Sequence, residues 1–129
     1  MFFMKNAYFI STAIPYANAA PHIGHAIEML YADTMARYKR LCGNEVFFLI
    51  GTDEHGQKMW RTAHEAGVPV ADYAAQKSAL FQELADEWNI THDDFIRTTE
   101  ERHRRGAQAF WQMCLETGDI YKKQYVGLY

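Results

Sequence analysis

The sequence predicts an α/β fold with a mostly parallel sheet, and three observations carry that prediction. Short runs of aromatic and β-branched residues recur at 7–14, 45–50 and 94–97, separated by stretches whose apolar residues step by three and four. The run at 45–50, Glu-Val-Phe-Phe-Leu-Ile, is almost continuously apolar, as a parallel strand covered on both faces would be. The resulting order of strand, helix, strand, helix, helix, strand, helix, strand calls for crossover connections rather than hairpins.

The first strand, 7–14 (Ala-Tyr-Phe-Ile-Ser-Thr-Ala-Ile), is stopped by Pro15. After a turn bracketed by Pro15 and Pro21, the spacing of Ile23, Ile27, Leu30, Thr34, Tyr38 and Leu41 predicts one buried face of a helix that starts near Pro21 and closes at Gly43. The second strand opens into the loop 51–56 (Gly-Thr-Asp-Glu-His-Gly), followed by a short helix over 57–66 that ends at Gly67. Pro69 suits the first turn of the next helix, which runs through Val70, Tyr73, Ala74, Lys77, Leu80, Phe81, Leu84 and Trp88.

A short strand is expected at 94–97, then a capping box from Thr98 to Glu101. The helix it would open buries Ala107, Phe110, Trp111, Cys114 and Leu115 and ends at Gly118, and residues 120–129 alternate aromatics as a last strand. Trp60, Trp88 and Trp111 sit at helical positions and are expected in the core or at its boundary.

With 129 residues, 49% hydrophobic and 22% charged, the chain fits one compact soluble domain and excludes a disordered or fibrous class. Its two cysteines, Cys42 and Cys114, lack a pair spacing, so reduced thiols are expected and zinc ligation within this stretch is not. The start Met1-Phe2-Phe3-Met4-Lys5 has no charged leader before an apolar stretch, and no run approaches the roughly 20 apolar residues of a membrane span. A cytoplasmic location is therefore expected, with no membrane partner. A net charge of −3 argues against a general nucleic-acid binder, which needs clustered Lys and Arg. Arg102, His103, Arg104 and Arg105, and the pair Lys122 and Lys123, are read as solvated faces.

Chemistry concentrates in two loops, the 15–25 turn and the 51–56 loop, each leaving the carboxyl end of a strand, where ligands of parallel sheets bind. His22 and His25 lie three apart at a helix start, where free backbone N–H groups and the positive dipole end favour an anion, and Gly24 between them leaves the surface open to a flat ring. Asp53 stands where its carboxylate can meet an ammonium group. A metal reading through His22, His25 and Glu28, with Glu54 or His55, fails on spacing: Glu28 lies deeper in the helix and no third ligand is fixed, so no metal site is expected.

These residues resemble a known family. His22-Ile23-Gly24-His25 is similar to the HIGH signature of class I aminoacyl-tRNA synthetases. Ala13-Ile14-Pro15-Tyr16-Ala17-Asn18 and Thr52-Asp53-Glu54-His55-Gly56 resemble its methionine-specific subgroup, with a match along nearly the whole chain. The resemblance implies a Rossmann-like catalytic core, residues 1–129 being the amino-terminal part of that domain. It implies activation of methionine with ATP, accompanied by Mg2+, and transfer to tRNA. His22 and His25 would be catalytic, Asn18, His22, Gly24 and His25 would bind ATP, and Ala13, Ile14, Tyr16 and Asp53 would bind methionine. The family's Lys-Met-Ser-Lys-Ser loop, its tRNA anticodon domain and a zinc knuckle are not in these residues, so a partial site with weak or no turnover of its own is expected, zinc belonging to a downstream region. A small nucleotidyltransferase sharing the HIGH signature, or a noncatalytic synthetase-like module, are the alternative readings.

Overall fold

The computed structural model describes residues 6–124 and Val126. Seven elements follow in chain order: β1 (Ala7–Ser11), α1 (Ile23–Leu41), β2 (Glu45–Thr52), α2 (Gln57–Glu65), α3 (Val70–Glu87), β3 (Asp94–Arg97) and α4 (Glu101–Glu116). The three strands form one parallel sheet in the order β1-β2-β3, with Ala7 opposite Glu45 and Leu49 opposite Asp94. The expected fold class and the bounds of β3 both hold. The chain divides into two compact units, Met1–Thr99 and Glu100–Tyr129.

Strand order that advances in one direction, combined with right-handed crossovers, places the connecting helices on one face of the sheet. The main core accordingly joins Phe48 and Ile50 of β2 to Met29, Ala32 and Ala36 of α1, Phe81 and Ala85 of α3, and Ile90. A smaller cluster gathers Ala17, Met59, Ala63, Tyr73 and Ala74 beneath the turn that follows β1. Burying Phe48 and Phe81 completely contributes about 1.5–3 kcal/mol each relative to leaving them in water.

The opposite sheet face corrects the reading of β2 as covered on both sides. Phe47 is 47% exposed and stacks on Phe9 of β1, itself 62% exposed, with ring centroids 6.1 Å apart. A one-directional sheet has only one helix-covered face, so Glu45 and Phe47 of β2 stay open while Leu49 is half-buried.

The buried side of α1 is also not the predicted one. Ala26, Met29, Ala32, Asp33 and Ala36 face inward, while Ile23, Ile27, Tyr38 and Leu41 are exposed. Three alanines let the helix axis approach β2 closely, and the periodicity of the larger side chains tracked a different stripe. Asp33 is held inside by Arg37, at 2.7 Å, and by the Thr91 amide, at 2.8 Å. Burial raises its pKa, but hydrogen bonds from Thr91 and Arg37 outweigh that, so the carboxyl lies below its ordinary value.

Other expectations need adjustment. β1 stops at Ser11 because the chain bends toward the turn, and β2 continues past Ile50 through Thr52. Gly51 permits that continuation: a Cβ there would lie 2.1 Å from the Ile96 carbonyl oxygen on β3. The Thr98 to Glu101 capping box does not form, since α4 starts after Glu100 without a side-chain cap and the Thr98 hydroxyl is used elsewhere. In the unit that contains it, α4 buries no residue, Phe110, Trp111 and Leu115 being exposed, and Arg102 and Arg104 pair with Glu100 and Glu101. Trp60 and Trp88 are exposed as well. Residues 120–124 are not a strand, and the rest of that predicted strand, apart from Val126, lies outside the described residues. Both cysteines are free thiols. Among the described residues no helix is long and apolar enough to cross a membrane.

Candidate functional site

The turn after β1 is stitched to the loop after β2 by backbone. The Asp53 amide donates to the Pro15 carbonyl at 2.8 Å and the Ala17 amide donates to the Asp53 carbonyl at 2.9 Å, a parallel bridge between Tyr16 and Asp53. Two side chains fix the turn from behind: Glu28 accepts from the Ala13 amide at 2.8 Å, and the Tyr73 hydroxyl donates to the Asn18 carbonyl at 3.1 Å. Ala17 is fully buried under it. Residues distant in sequence are thereby held as one wall.

The start of α1 is capped by its own histidines. His22 occupies the N-cap and its Nδ1 accepts from the Gly24 amide at 3.1 Å, while His25 Nδ1 accepts from the His22 amide at 3.1 Å. This is the reciprocal arrangement usually built from Ser or Thr with Glu or Gln, here made of two imidazoles. Their rings stack with centroids 3.8 Å apart, and His25 meets the edge of Phe81 at 5.2 Å. An Nδ1 that accepts a hydrogen bond carries no proton, so each neutral ring bears its proton on Nε2 and offers that N–H as a donor. Partial burial, then the neighbouring His22, lowers the His25 pKa against the opposing pull of Glu28. Gly24 has a reason beyond access for a ligand, because a Cβ there would lie 2.9 Å from His22 Cε1. The helix itself begins two residues after Pro21, since His22 is the extended cap.

The facing loop rests on a buried carboxylate. Glu54, 3% exposed, is bidentate to Arg97 at 2.6 and 3.0 Å, accepts from the Thr99 hydroxyl, and meets Thr52, whose hydroxyl is 2.8 Å from that of Ser78. Burial pushes its pKa up, but Arg97, Thr99 and Ser78 more than compensate, and the carboxyl lies below its ordinary range. The Thr98 hydroxyl accepts from the Glu54 amide at 2.9 Å and donates to Asp53 Oδ1 at 3.3 Å, which also accepts from the His55 amide at 3.1 Å. Asp53 is thus held by one carboxylate oxygen and is half-buried.

Two adjoining cavities open along this wall. One of about 430 Å³ is bordered by Pro15, Tyr16, Asn18, His22, His25 and Lys58, the other, about 240 Å³, by Tyr16, Asn18, His55, Lys58 and Met59. Tyr16, Asn18, His22 and His25 all border the larger cavity. Asp53 is joined to Tyr16 by the backbone bridge but, like the exposed Ala13 and Ile14, lines neither cavity. Glu28 and Glu54, weighed as metal ligands, are committed to Ala13 and Arg97, and no group of three or more potential ligands clusters among the described residues. Sequence reasoning passed over Lys58, Thr98 and Tyr73. The position of Lys58, two residues past the Gly56 that ends a strand-end loop, was the available signal.

The groove thus lies at the carboxyl ends of two parallel strands, with a helix start and paired imidazoles on it. The profile of the family described as tRNA synthetases class I (M) matches residues 8–129. The chain belongs to this family. It is 54% identical over 122 residues to the methionine–tRNA ligase of Rhizobium meliloti, covering 95% of this chain and 24% of that protein. The Brucella suis methionine–tRNA ligase is 47% identical over 125 residues, with 97% of this chain and 24% of that protein covered. Among solved structures, Mycobacterium tuberculosis methionyl-tRNA synthetase in complex with methionyl-adenylate superposes with a TM-score of 0.88 at 46% identity, over 90% of this chain and 23% of that one. The chain therefore spans about a quarter of the length of these synthetases, and its sheet and helices have the Rossmann-like form of the class I synthetase core.

Proposed function

We propose that this chain is the nucleotide-handling portion of a methionine–tRNA ligase, which joins methionine to ATP as methionyl-adenylate and then to tRNA. The observation that carries the reading is the imidazole pair at the start of α1, opening on the groove that Tyr16 and Asn18 border, with Asp53 bridged to Tyr16. The similarity to a synthetase solved with methionyl-adenylate supports it. In the activation step a methionine carboxylate oxygen bonds to the α-phosphorus, the bond from that phosphorus to the α–β bridging oxygen breaks, and pyrophosphate leaves with the electron pair.

His22 and His25 would place their Nε2–H donors on the phosphate oxygens as negative charge builds there. Gly24 and Asn18 complete the ATP side, Gly24 by leaving room for the His22 ring and Asn18 by presenting its amide to the groove. Asp53 would pair with the methionine ammonium through Oδ2, its other oxygen being occupied, while Tyr16, Ala13 and Ile14 supply apolar surface to the side chain. Mg2+ would arrive with ATP as part of the substrate, no group of three or more potential ligands clustering among the described residues. Zinc and the anticodon contacts to tRNA belong to regions of the family outside these residues. We read the protein as cytoplasmic.

In the gene-encoded enzyme containing this chain, replacing His22 and His25 by Ala lowers the rate of adenylate formation by roughly 100-fold or more while methionine affinity is kept. Methionine-dependent ATP–pyrophosphate exchange measures it, and an unchanged rate refutes the role. Loss of methionine binding in Asp53→Ala separates this reading from that of a nucleotidyltransferase. The isolated 129 residues turn over weakly or not at all.

A further inference from the structure

We propose that Lys58 is a phosphate-contacting residue of this site, presented to the groove by Asn18; the inference rests on the ATP-activating function proposed above. Lys58 is the second residue of α2 and borders both cavities, sharing the larger with His22 and His25. With the Asn18 amide oriented so that its nitrogen donates to the Tyr16 carbonyl at 3.2 Å, its oxygen accepts from Lys58 Nζ at 3.1 Å. One amide therefore links the turn before α1 to the start of α2.

The partner's chemistry points to a ligand. Among the described residues Lys58 makes no ion pair, although Arg37, Arg40 and Arg97 each pair with a carboxylate. Glu28 and Glu54 are engaged elsewhere, Glu28 with the Ala13 amide and Glu54 with Arg97, while Asp53 keeps Oδ2 for the ammonium proposed above. An ammonium held by a neutral amide, beside two imidazole N–H donors, favours a polyanion. Exchanging the Asn18 oxygen for phosphate oxygens replaces a charge-to-neutral hydrogen bond by a charge-to-charge one, while giving up a carboxylate would cancel most of that gain. The Lys58 charge offsets that of the triphosphate and of the departing pyrophosphate.

The test is steady-state ATP–pyrophosphate exchange by the gene-encoded enzyme with Lys58→Met and Lys58→Arg. Lys58→Met is expected to lower kcat/KM for ATP by roughly 10- to 100-fold, the size of one hydrogen bond to a charged group, and to raise the KM for pyrophosphate. The KM for methionine stays within twofold, and Lys58→Arg recovers most of the loss. If the parent enzyme shows no methionine-dependent exchange, the proposed function itself fails. If it exchanges and Lys58→Met matches it in ATP kinetics, the function stands and the role of Lys58 is overturned. A loss that raises the methionine KM in parallel and is not recovered by arginine also overturns it, marking Lys58 as merely structural.

Discussion

Glu54 and His22 each anchor one side of the groove, and they do it by different physics. Glu54 is 3% exposed and its carboxylate is saturated by Arg97 and neighbouring hydroxyls, so the loop beside Asp53 is fixed by charge-assisted bonds out of water. His22 is exposed, and the turn it caps depends on two 3.1 Å bonds, one to the Nδ1 of each imidazole. The difference assigns rigidity to the side proposed to read the amino acid, and adjustability to the side proposed to meet phosphates.

The largest effect that sharpens this contrast is expected from Glu54→Ala. It removes the buried carboxylate that Arg97 pairs with and costs about 3 kcal/mol of unfolding free energy by urea denaturation, the lower end for a broken buried pair because Arg97 is 33% exposed. Gly24→Ala should cost only about 1 kcal/mol, the worth of a helix cap, as the new Cβ turns the His22 ring away from the Gly24 amide. A loss from Gly24→Ala equal to that from Glu54→Ala would break the contrast.

The smallest effect is a pH dependence in two separate windows. The His25 pKa is below its ordinary 6.5, so its contribution is complete above 6.5 and is lost as pH falls through the folded value. Glu54 and Asp33 lie below their ordinary 4.5 and 3.8, and their contributions disappear only in stronger acid. Urea midpoints across pH 8 to 3 should show both declines. His25→Gln, which can still reach back to the N-cap amide without titrating, should remove the first and keep the second.

The groove was legible in the sequence where one residue type does one job. The two histidines, the glycine between them and the loop after β2 all stand at strand ends, and β3 has its predicted bounds. Legibility failed where small or polar residues do the packing. The inner face of α1 is mostly alanine, which leaves no apolar periodicity as strong as that of Ile23, Ile27 and Leu30 on the outside. Thr98 has the sequence position of a helix cap, and only the tertiary placement of Glu54 shows where its hydroxyl goes. Lys58 looked like any lysine in the first turn of a helix until Asn18, forty residues earlier, was placed beside it.

Among the described residues β1 is an edge of the sheet, with Phe9 open on the uncovered face and stacked against Phe47. An edge backbone with unpaired donors and acceptors beside two bare rings is a template for any extended segment that meets it. For the chain by itself, colloidal behaviour follows from that strand: self-association should grow with protein concentration, while salt, which screens charges, should do little to reverse it.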